Sequence, residues 1–150
     1  MMKKILMAAT LALGLGLSMP TAAVAQERSY APGGYLTVQG IYIEDGQNEN
    51  YMDYIADRYR ANQEFAKSKG WISSYRIFAN VNRRKDEPDL YLLVEAPRMP
   101  SPQEEVERDR QMSEAMRQTA RQAEEASGQR VKMRRIGSNL LLQELKLLAR

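Results

Sequence analysis

Trp71-Ile-Ser-Ser-Tyr-Arg-Ile-Phe-Ala-Asn-Val81 and Asp89-Leu-Tyr-Leu-Leu-Val-Glu95 are two runs of apolar, aromatic and β-branched residues. Between them lies a polar link, Asn82 to Pro88. Two strand-forming runs around a charged link predict a β-hairpin. The link is long for a tight turn and is expected to project into solvent. A helical pattern lies on each side of the hairpin, and a further strand-like run lies beyond each helix. The hairpin is thus the centre of a nearly symmetric chain.

Upstream, Tyr35 to Ile43 (Tyr-Leu-Thr-Val-Gln-Gly-Ile-Tyr-Ile) predicts the first strand, ended by a turn at Asp45-Gly46. Asn48 or Asn50 can cap a helix over Glu49–Lys69. Tyr51, Met52, Ile55, Tyr59, Asn62, Phe65 and Ala66 recur at spacings of three and four, so they share one face of it. Gly70 suits the left-handed position that ends helices. About twenty residues rising about 1.5 Å each give a rod of about 30 Å. A nine-residue strand at about 3.3 Å per residue is equally long. The helix can therefore run back along its strand as a crossover.

Downstream, Pro97, Pro100 and Pro102 mark the exit from the hairpin. Ser101-Pro102-Gln103-Glu104 is a helix start: Ser caps, Pro sits first, Glu reaches back. The second helix is expected over Pro102–Ala126, with Gly128 after it. Its apolar stripe is thin: Val106, Met112, Met116, Thr119, Ala120 and Ala123. Asn139–Leu148 is the predicted last strand, with a short helix as the competing reading, because Leu and Lys suit helices.

At the N-terminus, Lys3 and Lys4 precede the apolar run Ile5–Met19, then Pro20 and the small-residue site Ala23-Val24-Ala25. Residues 1–25 read as a secretory signal peptide, too short for a spanning helix. A retained N-terminal anchor is the competing reading. Cleavage near Ala25 predicts an exported protein, periplasmic or extracellular, with no stable membrane anchor. Residues 26–34 are expected to be an irregular lead, and 35–150 a single domain. Loss of Lys3 and Lys4 takes the formal charge from +3 to +1, which gives no general argument for nucleic acid.

The chain has no Cys and no His. That excludes disulfide staples, Cys/His zinc sites, His-ligated haem and Ser-His-Asp or Cys-His machinery. Any acid or base must be Asp, Glu, Lys or Tyr. The reading includes no metal and no cofactor.

The order strand-helix-strand, strand-helix-strand predicts an α+β domain. Its strands are apolar front and back: Tyr35, Thr37, Ile41 and Ile43 lie on one face of the first, Leu36, Val38 and Tyr42 on the other. Leu90, Leu92 and Val94 likewise oppose Tyr91 and Leu93. Two helices can cover one side only, so a second copy is expected on the other, sheet on sheet.

Three local features carry a resemblance: Asp45-Gly46-Gln47 with Glu49 and Tyr51 opening the first helix, Gly70-Trp71 opening the second strand, and Pro88-Asp89-Leu90-Tyr91-Leu92 opening the third. Over residues 35–148 the chain resembles the ferredoxin-like, dimeric α+β barrel proteins, which include antibiotic-biosynthesis-type monooxygenases. The resemblance implies a β-α-β-β-α-β fold: a four-stranded antiparallel sheet, two helices on one face, dimerisation through the other. In those enzymes Trp, Asn, Tyr and Arg side chains line a pocket between sheet and helices, and electron-rich aromatic substrates are oxidised without metal or flavin. By that resemblance Trp71 and Asn62 orient substrate and oxygen. The haem-degrading branch uses an essential His, which this chain lacks.

The candidate ligand-binding residues are Arg58, Asn62, Trp71, Tyr75 and Asn80. Arg58 and Asn62 lie one turn apart and can bind a carboxylate or an enolate oxygen. Equally, Arg58 can lie along an apolar edge with its head in water, Asn62 can bond a strand end, and Trp71 and Tyr75 can be core or interface aromatics. The acidic residues of the second helix alternate with Arg108, Arg110, Arg117 and Arg121, as on a solvated face. Arg130, Lys132, Arg134 and Arg135 can touch an anion or a polyanion, and Arg83-Arg84-Lys85 a partner.

Two functions follow. One is an exported homodimer that binds a small apolar or aromatic ligand or a partner protein. The alternative is a cofactor-independent monooxygenase-like enzyme using the same pocket, which needs convergent polar groups with a base near the substrate.

Overall fold

The computed structural model describes residues 28–149. The expected signal peptide, residues 1–25, lies outside the described residues. Strand β1 spans Tyr30–Ile43, so it starts before Tyr35. The irregular lead expected over 26–34 is thereby corrected for residues 30–34. The reason is a long partner: β4, Arg134–Leu147, pairs with β1 from Tyr30↔Leu147 to Ile43↔Arg134. Gly33 and Gly34 fall in a register shift between Pro32 and Tyr35. The short helix considered for Asn139–Leu148 does not form, because Leu140 and Leu142 pair with Val38 and Leu36.

The first helical rod runs through α1 (Asn48–Tyr54), a π segment (Ile55–Tyr59) and α2 (Arg60–Ser68). Gln47, rather than Asn48 or Asn50, is its N-cap, and no side chain caps it. Gly46 and Gly70 adopt φ of 73° and 68°, the left-handed region open to glycine, and so mark the turn and the helix end. The hairpin follows as β2 (Ser74–Ala79) and β3 (Leu90–Ala96).

Residues 82–86 of the link are exposed, as expected, while its end is held against the sheet: Pro88 is buried, and the Tyr42 hydroxyl donates to the Asp86 carbonyl at 2.5 Å. Asp89 anchors its end, accepting from the Ile43 backbone N–H at 2.9 Å and pairing with Arg83 at 2.7 Å.

One helix was expected over Pro102–Ala126, and two form: α3 (Pro102–Ala115) and α4 (Ala120–Arg130). Arg117, at φ 49°, makes the break, and Thr119 starts α4 with a capping box to Gln122. Gly128 lies inside α4 rather than after it. Neither helix buries a residue, and Val106 of the expected stripe is 71 % exposed. Ser101 caps α3 as expected, in a box with Glu104.

The chain is therefore α+β: a four-stranded antiparallel sheet, ordered β2-β3-β1-β4, and three helical rods. Cross-strand register sorts the faces. Ile41 pairs with Leu90, and Leu92 with Ile77. Ile41, Leu90 and Leu92 form the buried core with Tyr51 and Ile55 of the first rod, and Ile77 packs against it. The alternate positions face the other way. There Arg76, Leu93, Val38 and Leu140 run across the strands in one row, and Ser74, Glu95, Leu36 and Leu142 in the next.

Candidate functional site

Of the five residues singled out in the sequence, Trp71 alone lines either of the two depressions described below. Arg58 is exposed on the π segment, and Asn62 is half-buried on α2. The Tyr75 hydroxyl donates to Glu64 Oε1 at 2.7 Å, and its ring meets Tyr59 edge-on at 6.2 Å. The Glu64 carboxylate, more than burial, raises the Tyr75 pKa. Asn80 holds the link: its Nδ2 donates to Glu87 Oε2 and the Pro88 carbonyl, both at 3.2 Å. With the Arg84 N–H, the larger influence, Asn80 holds the Glu87 pKa below its ordinary value.

Trp71 lies before β2 and packs edge-on against Phe65 at 5.5 Å, with the Arg108 guanidinium 5.4 Å above it. It lines a depression of about 460 Å³ between the end of the first rod and α3, with Arg98, Glu104 and Glu107. The acidic groups there are already matched. Arg98 pairs with Glu104 and Arg110 with Glu107. The Arg98 guanidinium first, then the Ser101 N–H, hold Glu104 down to about 2, and Arg110 does the same to Glu107. A second depression, about 780 Å³, lies along the sheet end near Gly33, Gly34, Glu95 and Glu144. Arg58, Asn62, Tyr75 and Asn80 line neither. Among the described residues no group of Asp and Glu side chains is placed to hold a metal ion. None of their helices is long and apolar enough to cross a membrane.

Two other features stand out. The first is the sheet face turned away from the core. Phe78, Leu140 and Leu142 there are 47 %, 51 % and 46 % exposed. Val38, Leu36, Leu93 and Tyr91 beside them are half-buried. The link covers only the end of this face, at Tyr42 and Gly40. The second is a knot of aromatic and basic groups on the core side. Tyr51 and Tyr54 stack at 5.7 Å, and the Arg130 guanidinium lies 4.8 Å from the Tyr54 ring. Arg134 acts on the Tyr51 hydroxyl, offsetting in part the burial that raises its pKa. Tyr59, close by, has a buried hydroxyl without a hydrogen-bond partner among the described residues, and burial pushes its pKa up to about 12.

Sequence reasoning found the residues of this knot separately, as a helix stripe and as a basic run. Their meeting depends on β4 pairing with β1, which places Arg134 beside Ile43. No protein-family model matches the chain, and neither a curated protein nor a solved structure matches it significantly.

Proposed function

We propose that the protein is an exported homodimeric binding domain, ferredoxin-like in topology, in which two sheets pack through the faces opposite the helices. The observation that carries this reading is the open apolar face around Val38, Leu93, Leu140 and Leu142. Monomeric soluble proteins rarely leave such a continuous patch in water. A second copy suits it best. The patch is apolar across its middle, and its Arg76 and Glu95 neutralise each other at the edge. A surface of that kind is complementary to itself across a two-fold axis. The strand order β2-β3-β1-β4 supports the ferredoxin-like reading.

The ligand in this reading is a small apolar or aromatic molecule, or a partner protein. The oxygenase alternative draws no support from Arg58, Asn62 and Tyr75, which share no cavity among those described above. Export rests on the N-terminal pattern of residues 1–25, and mass spectrometry of the secreted chain tests it by finding a start near Gln26.

Sedimentation equilibrium tests the dimer. The wild type is expected at twice the chain mass at micromolar concentration. The pair Leu140→Lys and Leu142→Lys is expected at one chain mass, with an unchanged circular dichroism spectrum. A monomeric wild type overturns the proposal.

A further inference from the structure

Arg130 ends α4, and Arg134 opens β4. Both are half-buried. The Nε of each is fully shielded from water and has no hydrogen-bond partner among the described residues. Nor does a carboxylate among those residues pair with either guanidinium, although Arg76, Arg83, Arg98 and Arg110 all have carboxylate partners. Among the described residues these two arginines are set apart by a shielded Nε without a hydrogen-bond partner.

The Tyr51–Tyr54 stack brings them to one place. Arg130 covers Tyr54, Tyr54 stacks on Tyr51, and Arg134 reaches the Tyr51 hydroxyl. An arginine does not relieve like-charge repulsion or desolvation by losing its proton, because its pKa is too high. The remaining way to satisfy two such groups is an acceptor that is itself negative. Guanidinium forks match carboxylate and phosphate oxygens in geometry and charge.

We propose that Arg130 and Arg134, braced by the Tyr51–Tyr54 pair, form a binding site for a small oxyanion, the phosphate or carboxylate of a soluble molecule. A small anion is favoured over a polyanion by the register of β4. Arg134 lies on the core side, beside Ile43, whereas Arg135 pairs with Tyr42 on the opposite face and stacks on its ring at 4.0 Å. The basic run is split between two faces and offers no continuous track for a nucleic-acid backbone. The site lies on the helix-covered side, so it stands or falls independently of the dimer.

The test is a titration of the purified protein with inorganic phosphate and, separately, with acetate, ionic strength being held constant with chloride. Melting temperature and the Nε–Hε resonances of arginine in ¹⁵N NMR spectra are followed together. A saturable rise in melting temperature is expected with at least one anion, with the Arg130 and Arg134 Nε–Hε signals moving along the same curve. Saturation with phosphate alone identifies a phosphate site, and saturation with acetate alone identifies a carboxylate site. Arg130→Gln and Arg134→Gln are each expected to weaken the response about tenfold, while Arg135→Gln leaves it unchanged. Flat titrations with both anions overturn the proposal, as does an equal response in all three variants. The resonance shifts in the wild type decide the matter even where a variant fails to fold.

Discussion

Gly40 lies directly beneath Pro88. A β-carbon on Gly40 would come within 2.6 Å of the Pro88 ring and 2.7 Å of the Ser138 hydroxyl. The end of the charged link between β2 and β3 is therefore seated on the sheet through a contact that only glycine permits.

Gly40→Ala is expected to destabilise the protein by about 1–3 kcal/mol, the usual cost of overpacking a closed contact. Urea unfolding measures it. Gly128→Ala serves as the opposite case. Gly128 lies in α4 with open space around its β-carbon position. There alanine is expected to stabilise by up to about 1 kcal/mol through helix propensity and reduced unfolded-state entropy. Equal effects at the two sites would contradict the seating of the link.

Tyr59→Phe removes a buried hydroxyl that has no hydrogen-bond partner among the described residues. Leaving such a group unsatisfied costs about 1–3 kcal/mol. The variant is therefore expected to match or exceed the wild type in stability at neutral pH, by at most about 2 kcal/mol. A clear loss of stability would mean that the hydroxyl is bonded.

The same tyrosine predicts alkaline behaviour. Burial raises its pKa from 10.0 to about 12 in the folded protein. A group raised on folding holds its proton more tightly in the native state. Its contribution is complete below the unfolded value and is lost as pH rises from about 10 through about 12. Urea midpoints are expected to fall over that range in the wild type, and to fall less in Tyr59→Phe. Parallel curves for the two proteins would argue against the shift.

The caps of α3 and α4 carry unusual weight, because neither helix buries a residue. Ser101→Ala and Thr119→Ala are each expected to cost about 1 kcal/mol. With so little tertiary packing, the loss should be local. Hydrogen exchange is expected to quicken in α3 or α4 while the core around Ile41 and Leu92 keeps its protection. A global loss of protection would show that these helices are coupled to the core more tightly than their exposure implies.

Local chemistry was legible where one residue decides a conformation. Gly70 occupies the positive-φ position expected of it, Gly46 lies in the expected turn, and Ser101 with Glu104 forms the expected box. The break at Arg117 was not legible, because a non-glycine residue adopts the left-handed turn and neither glycine nor proline announces it. Thr119 and Gln122 did carry a capping pattern, but the thin stripe from Val106 to Ala123 read as one continuous face. The candidate residues fared differently because their roles depend on distant partners. Asn80 is engaged by Glu87 and Pro88, Tyr75 by Glu64, and Trp71 by Phe65 and Arg108.

The sequence by itself determined the order of the four strands and the first helical rod, the absence of any chemistry that needs Cys or His, and strands that are apolar on both faces. Those follow from residue identity and short-range periodicity. Only the tertiary structure decided that the end of the charged link is seated on the sheet at Pro88, that Arg134 and Arg135 face opposite ways, and that Arg130 meets Tyr54. Each of these depends on cross-strand register and on contacts between residues far apart in the chain. Shifting the register by one residue would exchange every side chain between the two faces.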